Sequence, residues 1–178
     1  MATLDILVEG DPRLRQKAIR IRSVDDGLRR LAADMHETMD KAPGVGLAGP
    51  QIGVMRRIVV VYVPGSYMGE DEPDIRLTLV NPEIIKQAGR EVATEGCLSI
   101  PDWIGDVPRS TMITVKAMDL DNRPIRLKAH DFFARVIQHE VDHLDGILFV
   151  DRVQDKSTLR DPESEDDDDD LVLRERQG

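Results

Sequence analysis

Between residues 24 and 44, Leu28, Leu31, Ala32, Met35 and Met39 recur every three or four positions. That spacing puts them on one face of a helix. Pro43-Gly44 supplies the stop, and Ser23 or Asp25 can cap the start. The pattern then changes. Arg56 to Val63 is a β-branched run bounded by turn residues, the mark of a buried strand. Residues 76–82 alternate and end at Asn81-Pro82, a second strand. Residues 111–130 alternate on both sides of Asp121-Asn122-Arg123, a hairpin. Beyond residue 130 the helical period returns through Phe132, Phe133, Val136, Ile137, Val141 and Leu144. Asp131 is the expected N-cap of this helix and Gly146 its C-terminal cap. A block of strands followed by one strongly apolar helix predicts an α+β fold of mostly antiparallel sheets.

Composition narrows the class. A chain of 178 residues suits one domain, and its 40% hydrophobic content suffices for a core without disulfides. The single cysteine excludes an internal disulfide and fits a reducing compartment, so a cytoplasmic location is expected. No apolar run reaches the ~20 residues of a membrane helix, and the first residues carry no signal-peptide pattern. The net charge of −10 is unevenly placed: residues 161–170, DPESEDDDDD, hold eight acidic side chains and no basic one, leaving −2 for the rest. The expected organisation is a catalytic domain over residues 1–160 and an acidic tail over 161–178, disordered and dispensable for chemistry. A nearly balanced body gives no reason to expect direct nucleic-acid binding or a membrane partner.

The candidate chemistry lies in QHEVDHLDG. On a helix, residues four apart lie one above the other, so His139 and His143 can reach one metal ion. Glu140 lies beside them, placed to act on water at that ion. A catalytic site of this kind needs a third protein ligand. The position where one zinc-protease pattern places its third histidine is Phe149, which cannot bind metal. Glu163 and Glu165 follow Pro162 and adjoin five consecutive Asp, which is poor helix material. No histidine follows His143. The third ligand must come from upstream, and the soft candidate there is Cys97, in EGCLSI. A structural metal site would normally use four protein ligands, and no fourth group is evident. A small zinc peptidase is the competing enzyme reading. A third stretch, GVGLAGPQIG, is rich enough in glycine for close backbone approach to a ligand, and Gln51 can donate to a developing oxyanion.

Gly44-Val45-Gly46-Leu47-Ala48-Gly49-Pro50-Gln51, Glu95-Gly96-Cys97-Leu98-Ser99 and Gln138-His139-Glu140-Val141-Asp142-His143 together resemble the three motifs of the peptide deformylases. The likeness runs from about Leu4 to Val153. It implies antiparallel β-sheets surrounding a central helix that carries the His-Glu-x-x-His motif. It also implies a monomeric hydrolase that removes the formyl group from N-formyl-methionyl nascent polypeptides and releases formate. The implied cofactor is Fe2+, with Zn2+, Ni2+ or Co2+ able to substitute, held by Cys97, His139 and His143. Glu140 is the implied base, with the Gln51 amide and the Leu98 N–H at the oxyanion. The Gly46 backbone would bind the substrate main chain, and Val45, Phe132 and Val136 would wall the methionine pocket. Glu95 would support the site, paired with Arg135 or Arg109. Gly49 stands where the family often has Ala, a change expected to loosen its loop.

Overall fold

The computed structural model describes residues 2–164. In chain order the elements are α1 (Asp26–Lys41), β1 (Gly46–Ala48), β2 (Ile58–Val63), β3 (Ile75–Ala88), β4 (Glu91–Cys97), β5 (Ile100–Arg109), β6 (Met112–Met118), β7 (Pro124–His130), α2 (Asp131–Leu144) and α3 (Phe149–Arg152). Five strands form one antiparallel sheet in the order β1-β2-β3-β6-β7, and β4 and β5 form a separate two-stranded sheet. The expected α+β class with antiparallel sheets is what the chain adopts.

Strand β2 is covered on both faces, which explains why it reads as an unbroken β-branched run rather than an alternating one. Val59, Val61 and Val63 turn toward α2, where Phe133, Ile137 and Val141 meet them. Ile58 and Val60 turn the other way, toward Leu28, Met35 and Met39 of α1. Each such side chain contributes about 1.5–3 kcal/mol on burial, so these two layers supply much of the driving force for folding. Asp25 caps α1, its carboxylate accepting from the Leu28 N–H at 2.8 Å.

Every residue of α2 after Asp131 is buried, including Arg135, Gln138, His139, Glu140, Asp142 and His143. An isolated helix of this length is marginal in water, so packing enforces it. Buried polar groups are costly without partners. Six in one helix therefore demand an organised polar site rather than a plain core.

Two expectations need correction, and three strands had not been anticipated. Asn81-Pro82 does not end a strand: β3 runs through it, with a register shift between Val80 and Glu83. A bulge tolerates a proline that cannot donate to the ladder. Asn81 takes a positive φ of 51°, and its side-chain amide bonds both the N–H and the C=O of Ile21, at 2.8 and 2.7 Å. Asp131 is not the N-cap of α2. The chain passes from β7 into the helix without a loop, His130 takes the extended cap position, and Asp131 opens the helix at φ 49°. The strands β1, β4 and β5 carried no clear alternation. β1 has three residues, and β5 contains Pro101, Gly105 and Pro108. Gly146 does follow the end of α2, with φ 73°, and a Cβ there would meet the Arg15 carbonyl oxygen at 2.5 Å.

At the expected boundary near residue 160, Ile104 and Arg160 exchange backbone hydrogen bonds of 2.9 and 3.0 Å. The expected tail lies outside the described residues from Glu165 onward. Among the described residues no helix is long and apolar enough to cross a membrane.

Asn81→Ala removes two buried hydrogen bonds and leaves Ile21 unpaired, so a loss of about 2–4 kcal/mol is expected. Urea unfolding at fixed metal content measures it, and a loss below about 1 kcal/mol would mean that Asn81 does not hold the bulge.

Candidate metal centre

Cys97 closes β4 at a tight turn through Leu98 and Ser99, opposite Ile100 of β5. The turn delivers its thiol to the face of α2 that bears His139 and His143. One ligand atom from each of the three residues lies within 4.8 Å of the others. Cys97 Sγ is 3.3 Å from His143 Nε2, and the two imidazole centroids are 5.0 Å apart. All three side chains are buried.

Behind them lies a buried ionic network. His139 Nδ1 lies 2.9 Å from Glu95 Oε1, and the carboxylate accepts a hydrogen bond from the Nδ1–H, leaving Nε2 to face the centre. Glu95 also accepts from Arg109 Nε and Nη2, both at 2.9 Å, and from Arg135 Nη1 at 2.7 Å. Arg109 reaches on to Asp142 Oδ2 at 2.6 Å, and Asp142 is bonded again by Arg152. Burial opposes the Glu95 charge, yet Arg109 and the His139 hydrogen bond hold its carboxyl well below the usual range. Burial likewise opposes the charge on Arg109, which Glu95 and Asp142 raise above its ordinary value.

Glu140 sits differently. Its Oε2 is buried and has no partner among the described residues, and the same holds for His143 Nδ1. Burial pushes Glu140 up to about 7, against the pull of His139. Gly46 makes room for it: a Cβ there would meet the Glu140 Cδ at 2.7 Å and Cγ at 2.8 Å. Burial lowers the basicity of both histidines, but Cys97 and Glu95 leave His139 raised overall, while His143 stays well below its ordinary value. A thiol, two imidazoles and an orphaned carboxylate oxygen in one buried spot form a donor set that fits one transition-metal ion.

The other expected site residues fall as follows. Gln51 is buried against the centre: its Oε1 accepts from the Ala48 N–H at 2.8 Å, and its Nε2 lies 3.6 Å from Cys97 Sγ and 3.2 Å from Ser99 Oγ. Leu98 is half-buried beside Gly44, directly after the thiol. Phe132 and Val136 precede His139 by seven and three residues, on the same stripe of α2, and Val45 packs into their cluster. Gly49 does not loosen its loop. A Cβ there would meet the carbonyl oxygens of Arg56 and Val54 at 2.5 and 2.7 Å, so close packing demands glycine. Glu163, rejected as a ligand, is exposed in a short turn, and Glu165 lies outside the described residues. His36 stands on α1, 3.0 Å from Thr78 Oγ1. Both Arg109 and Arg135 pair with Glu95. Asp142, Arg152, Ser99 and Gln138 were not anticipated as supporting groups. Gln138 bonds both the N–H and the C=O of Ser110, tying α2 to the β5–β6 connection. Its place inside a strongly apolar helix was the available signal.

An α+β domain whose buried helix presents His139, Glu140 and His143 to an upstream cysteine defines a metal-dependent hydrolase. The family model described as polypeptide deformylase matches residues 3–158. A peptide deformylase of Thermomicrobium roseum is 61% identical over 160 residues, 90% of this chain and 91% of that protein. The crystal structure of a peptide deformylase from Legionella pneumophila aligns with TM-score 0.78 and 39% identity, covering 86% of this chain and 88% of that one. A Met-Ala-Ser-bound peptide deformylase from Acinetobacter baumannii aligns with TM-score 0.79 and 36% identity, covering 85% and 99%. The chain belongs to the polypeptide deformylase family, metal-dependent hydrolases that remove the formyl group from the N-terminal formyl-methionine of polypeptides.

Removing one partner of a buried ion pair leaves the other charges uncompensated, so Glu95→Gln is expected to cost about 3–5 kcal/mol at neutral pH. The sign of its pH dependence follows from the lowered carboxyl. The stabilisation is complete above the ordinary value of 4.5 and is lost as pH falls through the folded-state value. Unfolding curves of the two proteins should therefore converge on acidification. A gap that stays constant below pH 4.5 would contradict the assignment.

Proposed function

We infer that Cys97, His139 and His143 hold iron(II), and that Glu140 is the proton carrier for hydrolysis of the formyl group on N-formyl-methionyl nascent polypeptides. The observation that carries this reading is the convergence of the three ligand atoms beside an unpartnered Glu140 oxygen. Bound there, iron(II), or zinc, nickel or cobalt in its place, would act as a Lewis acid toward the formyl oxygen and acidify water beside it. Glu140 takes a proton from the attacking water and returns it to the leaving amine nitrogen. A carboxyl pushed up to about 7 by burial suits both transfers near neutral pH. The Gln51 side-chain amide and the Leu98 backbone N–H donate to the oxygen on which charge develops.

The substrate lies along β1. That strand is an edge of the sheet, paired among the described residues with β2 alone, so its outer side can receive an extended main chain at Gly46. Val45, Phe132 and Val136 surround the methionine side chain. The solved relative bound to Met-Ala-Ser, a peptide with methionine at its N-terminus, supports this choice of occupant. The protein acts as a monomer in the cytoplasm, and residues 161–178 take no part in the chemistry.

Glu140→Ala should retain its metal and lose at least ~10²–10⁴ in turnover, because the base is gone and the ligands remain. Metal analysis beside a formate-release assay on formyl-Met-Ala tests it. Near-normal turnover would remove Glu140 from the mechanism, and cleavage of acetyl-Met-Ala or internal peptides would favour a peptidase. The iron(II) protein should lose activity in air while the nickel protein keeps it, since ferrous iron and its thiolate ligand are both open to oxidation. Equal decay rates for the two, with and without oxygen, would remove the case for iron.

A further inference from the structure

We propose that Phe149 is a positioning residue of the metal centre: its ring lies flat against His139 and sets the plane in which that imidazole meets the metal. The two ring centroids are 6.3 Å apart and the planes differ by 21°, an offset stack. The hydrogen bond from Nδ1 to Glu95 fixes one point of the His139 ring. It leaves the ring free to tilt about that bond, and the last torsion of a histidine has no sharply preferred value. A flat neighbour removes that freedom. His143 is less constrained on its outer side. Its Nδ1 has no hydrogen-bond partner among the described residues, and its ring meets that of His139 at 5.0 Å and 69°. Phe149, His139 and His143 thus form a series in which each ring orients the next. The proposal rests on the reading of Cys97, His139 and His143 as the metal ligands.

Local structure holds the ring in place. α2 ends at Leu144, and the chain turns at Gly146, with the Ile147 N–H donating to the Asp142 carbonyl at 2.9 Å. α3 then begins at Phe149. The Asp151 carboxylate accepts from the Leu148 N–H at 3.0 Å, and Arg152 donates to Asp142 at 2.9 and 3.1 Å, so α3 is tied to α2 beside His143. Phe149 is only 2% exposed. Cys97 belongs to the same buried cluster, whose other buried members, Leu14, Ile100, Val107, Leu148 and Val153, are aliphatic. The chain has three phenylalanines, and among the described residues the single ring of this cluster stands on a ligand. The sequence reaches the same position from another direction. Residue 149 is where one zinc-protease pattern places a third liganding histidine. Here the fold brings that position to the same imidazole, with a ring that packs in place of a nitrogen that binds. An aliphatic side chain could fill the space and exclude water, but it has no flat face to offer the imidazole.

The test is cobalt(II) affinity, measured against a competing chelator, for the wild type, Phe149→Leu, Phe149→Tyr and Val153→Ala in the full chain. Groups that orient a liganding histidine are worth about 10–100-fold in metal affinity, so Phe149→Leu should bind at least about tenfold more weakly. Phe149→Tyr keeps the ring face and should stay within about threefold of the wild type. Val153→Ala trims the same cluster where it faces Gly105, and should lower stability to urea without changing the affinity. The visible absorption bands of the cobalt form report ligand geometry and should shift in Phe149→Leu alone. If Phe149→Leu does not fold, Phe149→Met, apolar and adaptable, takes its place. Equal affinity in the wild type and the leucine variant would overturn the proposal. So would equal weakening in the leucine and tyrosine variants, or in Phe149→Leu and Val153→Ala. A wild type that binds cobalt no better than Cys97→Ser would instead overturn the ligand assignment beneath it.

Discussion

The metal centre depends on one buried carboxylate. Glu95 accepts from Arg109 on β5 and from both His139 and Arg135 on α2. Its partners lie 14 and more residues away in the chain. Ion pairs of this kind add little net stability over an apolar equivalent, because desolvation offsets the attraction. Their effect here is on register. Cys97 follows Glu95 by two residues on β4, and His143 follows His139 by one helical turn on α2. Once Glu95 is bonded to His139, the thiol two residues on meets the imidazole one turn on. A slip of α2 would break the bonds of Glu95 to His139 and Arg135, and a slip of β4 would break those and its bonds from Arg109. The network thereby selects the one arrangement in which three ligands converge.

Two carboxylates in the same buried region are driven in opposite directions. Glu95 is surrounded by guanidinium groups and stays ionised. Glu140, one residue from His139, has a free oxygen and the bare backbone of Gly46 against it, and burial pushes it up to about 7. The first is fixed as an anion, and the second lies where it could gain or lose a proton near neutral pH. The difference arises from neighbours and not from residue type. Gly46 contributes by what it lacks: any side chain there would occupy the space of the Glu140 carboxylate.

Much of this was legible along the chain. The periods of α1, β2, the β6–β7 hairpin and α2 are strong because each element is long and buries one or two whole faces. The pairing of His139 with His143 follows from helical geometry alone, and Cys97 from the shortage of any other soft ligand. The β4–β5 pair was not legible, since prolines and glycine break its alternation and its inward positions hold Glu95 and Cys97 rather than a plain apolar row. Asn81-Pro82 read as a stop because a bulge depends on contacts with Ile21, sixty residues away.

The sequence by itself pointed to the three residues that the structure brings together as a possible metal site, because helix spacing and ligand chemistry are local properties. It also determined the α+β class, through periods that change from element to element. Tertiary structure alone decided which arginine meets Glu95, the answer being both. It alone decided that Gly49 is required by the carbonyls of Val54 and Arg56, and that Glu140 lies in a pocket dry enough to raise its pKa. These outcomes depend on distances between segments far apart in the chain and on the exclusion of water. Neither exists until the layers have packed.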